Sequence, residues 1–253
     1  MQSPRAVFMR MRGAWTAVVR TCAFESRLKP CNQCHCNQSA RKTMNMRYLL
    51  PLAAFAAILG LPAAAPAQTI IDEWSGVKAP PAPELKAVTV DPKATALLML
   101  DFVKQTCNQQ RRPRCVASLP KVKTLLAEAR AKDMLVVYSI SPSAAIGDTL
   151  PEVAPTGKEP SVQAGANKFY KTNLEQILKD KGITTVIVVG TAAHGAVMYT
   201  ASEAVPRGMK VILPVDGMSA DNAYIEQYVT YNFTSAPAIA NNVTLTSIDM
   251  IRF

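Results

Sequence analysis

Four runs of this chain are apolar at nearly every position rather than at alternate ones: ATALLMLD (94–101), MLVVYSI (134–140), TTVIVVG (184–190) and MKVILPV (209–215). A strand with one face in water alternates polar and apolar side chains. A run without that alternation belongs to a strand covered on both faces, the situation of a parallel sheet between two helix layers. The intervening segments agree. Leu119, Val122, Leu125, Leu126 and Ala129 recur at helical spacing in SLPKVKTLLAEARAK. In TNLEQILKDKG (172–182), Thr172 and Glu175 stand in capping-box positions and Gly182 stands where a helix stops. Further helices are expected from about His194 to Val205 and near DNAYIEQYV, with a last strand at NVTLTSI (242–248). Strand and helix in alternation predict an open three-layer α/β/α sandwich with a mainly parallel, Rossmann-like sheet.

A different pattern precedes this domain. RYLLPLAAFAAILGLPAAAPA (47–67) is an Arg, an apolar run and a small-residue ending, which reads as a signal peptide over residues 44–67 cleaved after Ala67. The apolar run is shorter than the roughly 20 residues of a membrane span and contains Pro51 and Pro62. Residues 1–43 read as an upstream, non-native leader, with Met44 or Met46 as the start. Cys31, Cys34, His35 and Cys36 within it carry a weaker alternative reading as a metal knuckle.

Dividing the charge at Ala67 decides which partners are expected. The chain has 28 Lys+Arg and 18 acids; residues 1–67 hold 9 and 1 of these, leaving 19 and 17, a net +2, on residues 68–253. That balance gives no electrostatic footprint for nucleic acid. RRPR (111–114) reads as a local, solvated basic loop. The expected location is periplasmic or secreted, with no membrane contact once the signal is cleaved and homo-oligomerisation left open. Of six cysteines only Cys107 and Cys115 lie beyond the leader, and an exported compartment oxidises neighbouring thiols. A disulfide closing a short loop competes with two free thiols, one of them catalytic. Residues 68–93 form a Pro-rich arm, in which WSGVKAPPAPELK predicts extended chain across the domain that spans 94–253.

Ligands of open α/β sheets sit outside the carboxyl ends of the strands, so the residues just after each strand are the candidates. They are Asp101, the serines of SISPS, the turn GTAAHGA and Asp216, the last reading as a turn residue before Gly217. Asp101 ends an apolar strand, where desolvation would raise its pKa and make it a usable acid or base; the competing reading is a capping carboxylate. The turn holds no Cys, and no Ser before Ser202, but Ala192, Ala193 and Gly195 bring backbone amides and a helix start to one point, which suits an anionic small molecule. No G-x-G-x-x-G fingerprint is present, and no cofactor is expected.

LLMLDF, KFYKTNLEQIL and VIVVGTAAHGAVMYTASEAVPRGMKVILPVDG together resemble the isochorismatase-like hydrolases, also called the cysteine hydrolase family, over most of residues 94–253. The resemblance implies an Asp, Lys and Cys triad. Carried over by position, the Asp falls on Asp101, the Lys on Gln163 and the Cys on Ala196, so thiol-based acyl transfer at that turn is excluded. Lys168, just before Phe169, reads either as an amine turned back into the crevice or as a solvated lysine. One branch, the true isochorismatases, is similar at the turn: an Ala-His pair, and Gly where other members carry Cys. That branch cleaves a vinyl ether with Asp as general acid and water as the eventual nucleophile. His194 reads as a proton donor or as a residue that fixes the turn by a hydrogen bond. It is the single histidine beyond the leader, so no metal is expected from the family's occasional Asp-His-His site. Two functions follow: an exported hydrolase without a Cys nucleophile, acting on a small carboxylate, amide or enol-ether metabolite, or a catalytically inactive protein that binds such a ligand.

Overall fold

The structure, a computed structural model, describes residues 68–253. The signal peptide expected over 44–67, the upstream leader and its Cys31, Cys34, His35 and Cys36 lie outside the described residues. The arm is less uniform than its prolines suggest. It holds a one-turn helix α1 (Ile70–Glu73), where the Asp72 carboxylate accepts the N–H and hydroxyl of Thr69, and a short strand β1 (Val88–Thr89). WSGVKAPPAPELK between them has neither helix nor strand, as Pro without an amide proton dictates.

The four apolar runs become β2 (Thr95–Leu100), β3 (Leu135–Ile140), β5 (Thr185–Thr191) and β6 (Lys210–Pro214). With β4 (Ser161–Gln163) and β8 (Val243–Thr246) they form a parallel sheet in the order β4-β3-β2-β5-β6-β8. A two-residue strand β7 (Met218–Ser219) also pairs with the end of β5, and β1 pairs separately with β9 (Ile251–Arg252). Of these, β4, β7 and β9 escape a sequence reading, being too short to show a period.

Four longer helices cover the sheet: α2 (Pro113–Ala131), α3 (Leu174–Asp180), α4 (Met198–Ala204) and α5 (Ala223–Ser235). The twofold alternation of strand side chains sorts the core. Ala96, Leu98, Val186 and Val188 pack toward Leu174, Ala201 and Phe233 of α3, α4 and α5, while Leu97, Met99, Ile187 and Val189 pack toward Leu119, Val122 and Leu126 of α2. Each large side chain buried this way contributes about 1.5 to 3 kcal/mol. That is why the runs could not alternate.

Two helix starts differ from expectation. α2 begins at Pro113, whose missing N–H is harmless in a first turn, and continues through Pro120 because a buried stripe from Cys115 to Ala129 holds it on the sheet. The capping box of Thr172 and Glu175 does not form. Thr172 Oγ1 instead accepts the Leu174 amide at 3.2 Å and donates to the Lys168 carbonyl at 2.6 Å, while Glu175 pairs with Lys179 and with Arg207, whose guanidinium competes for the carboxylate. Gly182, at φ 66°, ends the segment as expected.

Candidate active site

The carboxyl ends of β2 and β5 approach more closely than side chains normally permit. Gly190 lies opposite Leu100 with φ 150°, and a Cβ there would stand 2.3 Å from the Leu100 carbonyl oxygen. The next residue of β2's chain is Asp101, in the left-handed region at φ 56°, which Asp tolerates better than most residues. Its amide donates to the Ser139 carbonyl at 3.0 Å, and its own carbonyl accepts Thr106 Oγ1 at 2.6 Å. The carboxylate is thereby fixed at the strand end.

That carboxylate accepts Lys168 Nζ through both oxygens, at 2.8 and 2.7 Å, and Ser139 Oγ at 3.1 Å. The third ammonium proton of Lys168 goes to the Ala164 carbonyl at 3.0 Å, so the lysine has no donor left. Lys168 is fully buried, whereas the Asp101 side chain keeps 10% of its surface. Only the acid of this pair can be reached from solution. Burial pushes the Asp101 carboxyl above its ordinary range, against the pull of Lys168 and Ser139; burial pushes the Lys168 ammonium down, against the pull of Asp101. Both groups move toward their neutral forms.

This arrangement corrects the placement that family spacing gives. Gln163, the position matched to the family lysine, ends the edge strand β4 and spends its amide on the carbonyls of Ser141, Pro142 and Ala144, not on Asp101. The ammonium beside Asp101 belongs to Lys168, and its reading as a solvated lysine is overturned. The loop from Ala164 to Asn167 turns the chain back over the strand ends, a reversal that sequence distance does not encode.

The turn after β5 also differs from a simple helix start. The Thr191–Ala192 peptide is cis, and Ala193–Val197 form a π-helical turn before α4. The Ala192 carbonyl accepts the amides of Gly195, at 2.9 Å, and Val197, at 3.3 Å. Ala193 and Ala196 are buried. His194 does not fix this turn: its Nδ1 is buried without a partner, as are Ser141 Oγ and Ser219 Oγ. Such groups cost about 1 to 3 kcal/mol each unless a bound water or ligand completes them. All three follow or end strands at this edge.

A residue that the sequence conceals completes the surroundings. Arg112, read as part of a solvated loop, is 5% exposed. Its Nε donates to Asp221 at 2.8 Å and its Nη1 to Thr191 Oγ1 at 2.8 Å. Arg114 is exposed and paired with Glu226, and Arg111 is exposed, so the solvated reading fails for Arg112 alone among the three arginines. Cys107 and Cys115 are bridged, with Cα atoms 5.3 Å apart, which leaves neither sulfur as a free thiolate. Ser139 is one of the SISPS serines that the sequence offers as candidates; Arg112 had no signal. Among the described residues no cluster of His, Cys, Asp and Glu is arranged to hold a metal, and no helix is long and apolar enough to cross a membrane.

Comparison with known proteins follows the same residues. The Isochorismatase domain model matches residues 95–246. A secreted isochorismatase effector, Isc1, of Verticillium dahliae is 29% identical over 113 residues, 40% of this chain and 60% of the effector, so the chain spans less than two thirds of that relative. Among solved structures, an isochorismatase-like hydrolase from Alkaliphilus metalliredigens superposes with a TM-score of 0.56 at 22% identity, covering 61% of this chain and 95% of its own. An N-carbamoylsarcosine amidase from Thermoplasma acidophilum gives 0.54 at 22%, covering 61% and 96%. An isochorismatase from Pseudomonas putida gives 0.56 at 19%, covering 73% and 99%. These likenesses establish the fold.

Proposed function

The chain belongs to the isochorismatase family, and on that premise we propose that it is an exported hydrolase of small anionic metabolites that works without a thiolate nucleophile. The observation that carries the reading is the buried Asp101–Lys168 pair, of which the carboxyl alone keeps exposed surface. A carboxyl raised by burial can hold a proton to give, and Lys168 balances the carboxylate left behind. Ala196 supplies no lone pair, so water must be the nucleophile.

An enol ether suits these groups. Asp101 gives its proton to the terminal carbon of the enol, and the charge left on the ether-bearing carbon is quenched by water, which returns a proton to the Asp101 carboxylate. The resulting hemiketal collapses with cleavage of the C–O bond into a keto acid and an alcohol. In this reading the substrate's carboxylate lies at the helix start after β5, where the dipole favours an anion. Export is supported by the Cys107–Cys115 bridge and by the secreted relative. The test is turnover of a panel of vinyl ethers, small amides and carboxylate esters, isochorismate included, by wild type and Asp101→Asn. Hydrolysis of an enol ether that disappears in the variant supports the reading.

A second reading, a ligand-binding protein without turnover, draws on the unpartnered His194 Nδ1, Ser141 Oγ and Ser219 Oγ, which a bound anion could complete. Binding of isochorismate that is unchanged by Asp101→Asn, with no product formed by either protein, favours that reading.

A further inference from the structure

We propose that Arg112 is a positioning residue for this site, locked in place by the Cys107–Cys115 bridge. The proposal rests on Asp101 and the turn after β5 being the functional centre. One guanidinium spans the two segments that carry that centre. Nη1 donates to Thr191 Oγ1 at 2.8 Å, one residue before Ala192, and to the Thr106 carbonyl at 3.4 Å. Thr106 in turn donates its hydroxyl to the Asp101 carbonyl at 2.6 Å. Nε donates to Asp221, ahead of α5, so the charge has one carboxylate partner, itself half exposed.

A buried guanidinium is an expensive way to fill space, since apolar side chains of similar volume generally stabilise as much or more. What an apolar residue cannot do is tie three loops together in a fixed fork, and a lysine, with a point charge, cannot match the geometry either. The loop around Arg112 is equally determined. Its amide donates to the Asn108 carbonyl at 2.8 Å, its carbonyl accepts the Cys115 amide at 3.0 Å, and Asn108 Oδ1 accepts the amides of Gln110 and Arg111. The bridge closes this loop at both ends. Reduction by a dithiol, which takes up the bridge as two thiols and leaves as its own disulfide, frees one end of the loop and lets Arg112 swing toward the exposed side of Asp221.

The experiment combines amide hydrogen exchange, read by mass spectrometry, with isochorismate turnover. It compares wild type, Arg112→Met, Arg112→Lys, Thr191→Val and dithiothreitol-reduced protein. In Arg112→Met and in the reduced protein, exchange over 101–107 and 191–198 should quicken by about tenfold or more, the equivalent of one lost charge-assisted hydrogen bond, while β3 and the second half of α2 keep their protection. The kcat should fall by a similar factor with little change in KM, and Arg112→Lys should recover only part of it. Thr191→Val keeps shape and removes one acceptor, so it reports even if Arg112→Met fails to fold; a smaller rise in exchange over 191–198 is expected. Wild-type protection of both segments in Thr191→Val and in the reduced protein overturns the proposal, as does faster exchange with kcat unchanged. Isochorismate left intact by wild type counts against the proposed reaction, and the exchange measurement then decides the positioning role by itself.

Discussion

The two edges of the sheet carry the same strands and opposite chemistry. At the amino edge the Ala94 carbonyl accepts the amides of Thr184 and Thr185, Lys210 donates its amide to Thr184, and the charged side chains of Asp91, Lys93 and Lys210 lie in water. At the carboxyl edge sit Asp101, Arg112 and Lys168, which are all the buried charged residues among those described, together with the cis peptide and four buried polar atoms without partners, on Gln105, Ser141, His194 and Ser219. Backbone satisfied locally and charge left in water are what stability alone would favour. Desolvated charge opposes stability, so it marks the edge where another requirement was met.

The contrast breaks most sharply at two glycines. Gly190→Ala at the carboxyl edge drives a Cβ to 2.3 Å from a backbone oxygen and should cost about 5 kcal/mol or more, enough to leave little folded protein in a urea titration. Gly182→Ala near the amino edge has nothing within 4 Å, and its positive φ alone should cost about 1 to 2 kcal/mol. Similar losses at both sites would mean that the close approach of β2 and β5 is not real.

Lys168→Met is expected to cost about 3 to 5 kcal/mol, because it strands a buried carboxylate. Asp101→Asn/Lys168→Met should recover most of that, since the stranded charge is then gone and Asn also accepts φ 56°. The pH dependence has a definite sign. A carboxyl whose folded pKa is raised favours folding in its protonated form, so the stability it confers is present in acid, below its unfolded value near 3.8, and lost as pH rises through the folded value. Chemical denaturation of Lys168→Met at pH 5 and pH 8 should find the acid sample more stable.

Reducing Cys107–Cys115 should lower the unfolding free energy by about 2 to 3 kcal/mol in the chain-entropy picture, measurable as a fall in the urea midpoint. At the small end, Lys93→Ala and Lys210→Ala at the amino edge should change stability by less than about 0.5 kcal/mol and leave turnover as it was.

The same division governs what could be read from the chain. Strands β2, β3, β5 and β6 were legible because burial on both faces leaves a run such as LLML no other environment, and Asp101 was legible because it ends one. Its partner was legible only as one of two readings of Lys168. Counting residues from Phe169 leads to Gln163, and only the reversal of the loop after β4 carries Lys168 under the carboxylate. Arg112 looked like one more cation in RRPR because its partners, Thr191 and Asp221, are 79 and 109 residues away. The π-helical turn at Ala193–Val197 was read as ordinary helix, for small apolar residues permit either. Local pattern encodes the layers; the polar contacts of the carboxyl edge are made across the fold and have no local signature.

The most direct test is the pH–rate profile of isochorismate cleavage by wild type and Asp101→Asn. If Asp101 gives the proton, kcat is highest where its carboxyl is protonated and falls as pH rises through its raised folded pKa, and Asp101→Asn, which keeps the shape but has no transferable proton, shows no turnover at any pH. Turnover that survives in Asp101→Asn, or a wild-type rate that does not fall with rising pH, would contradict the account.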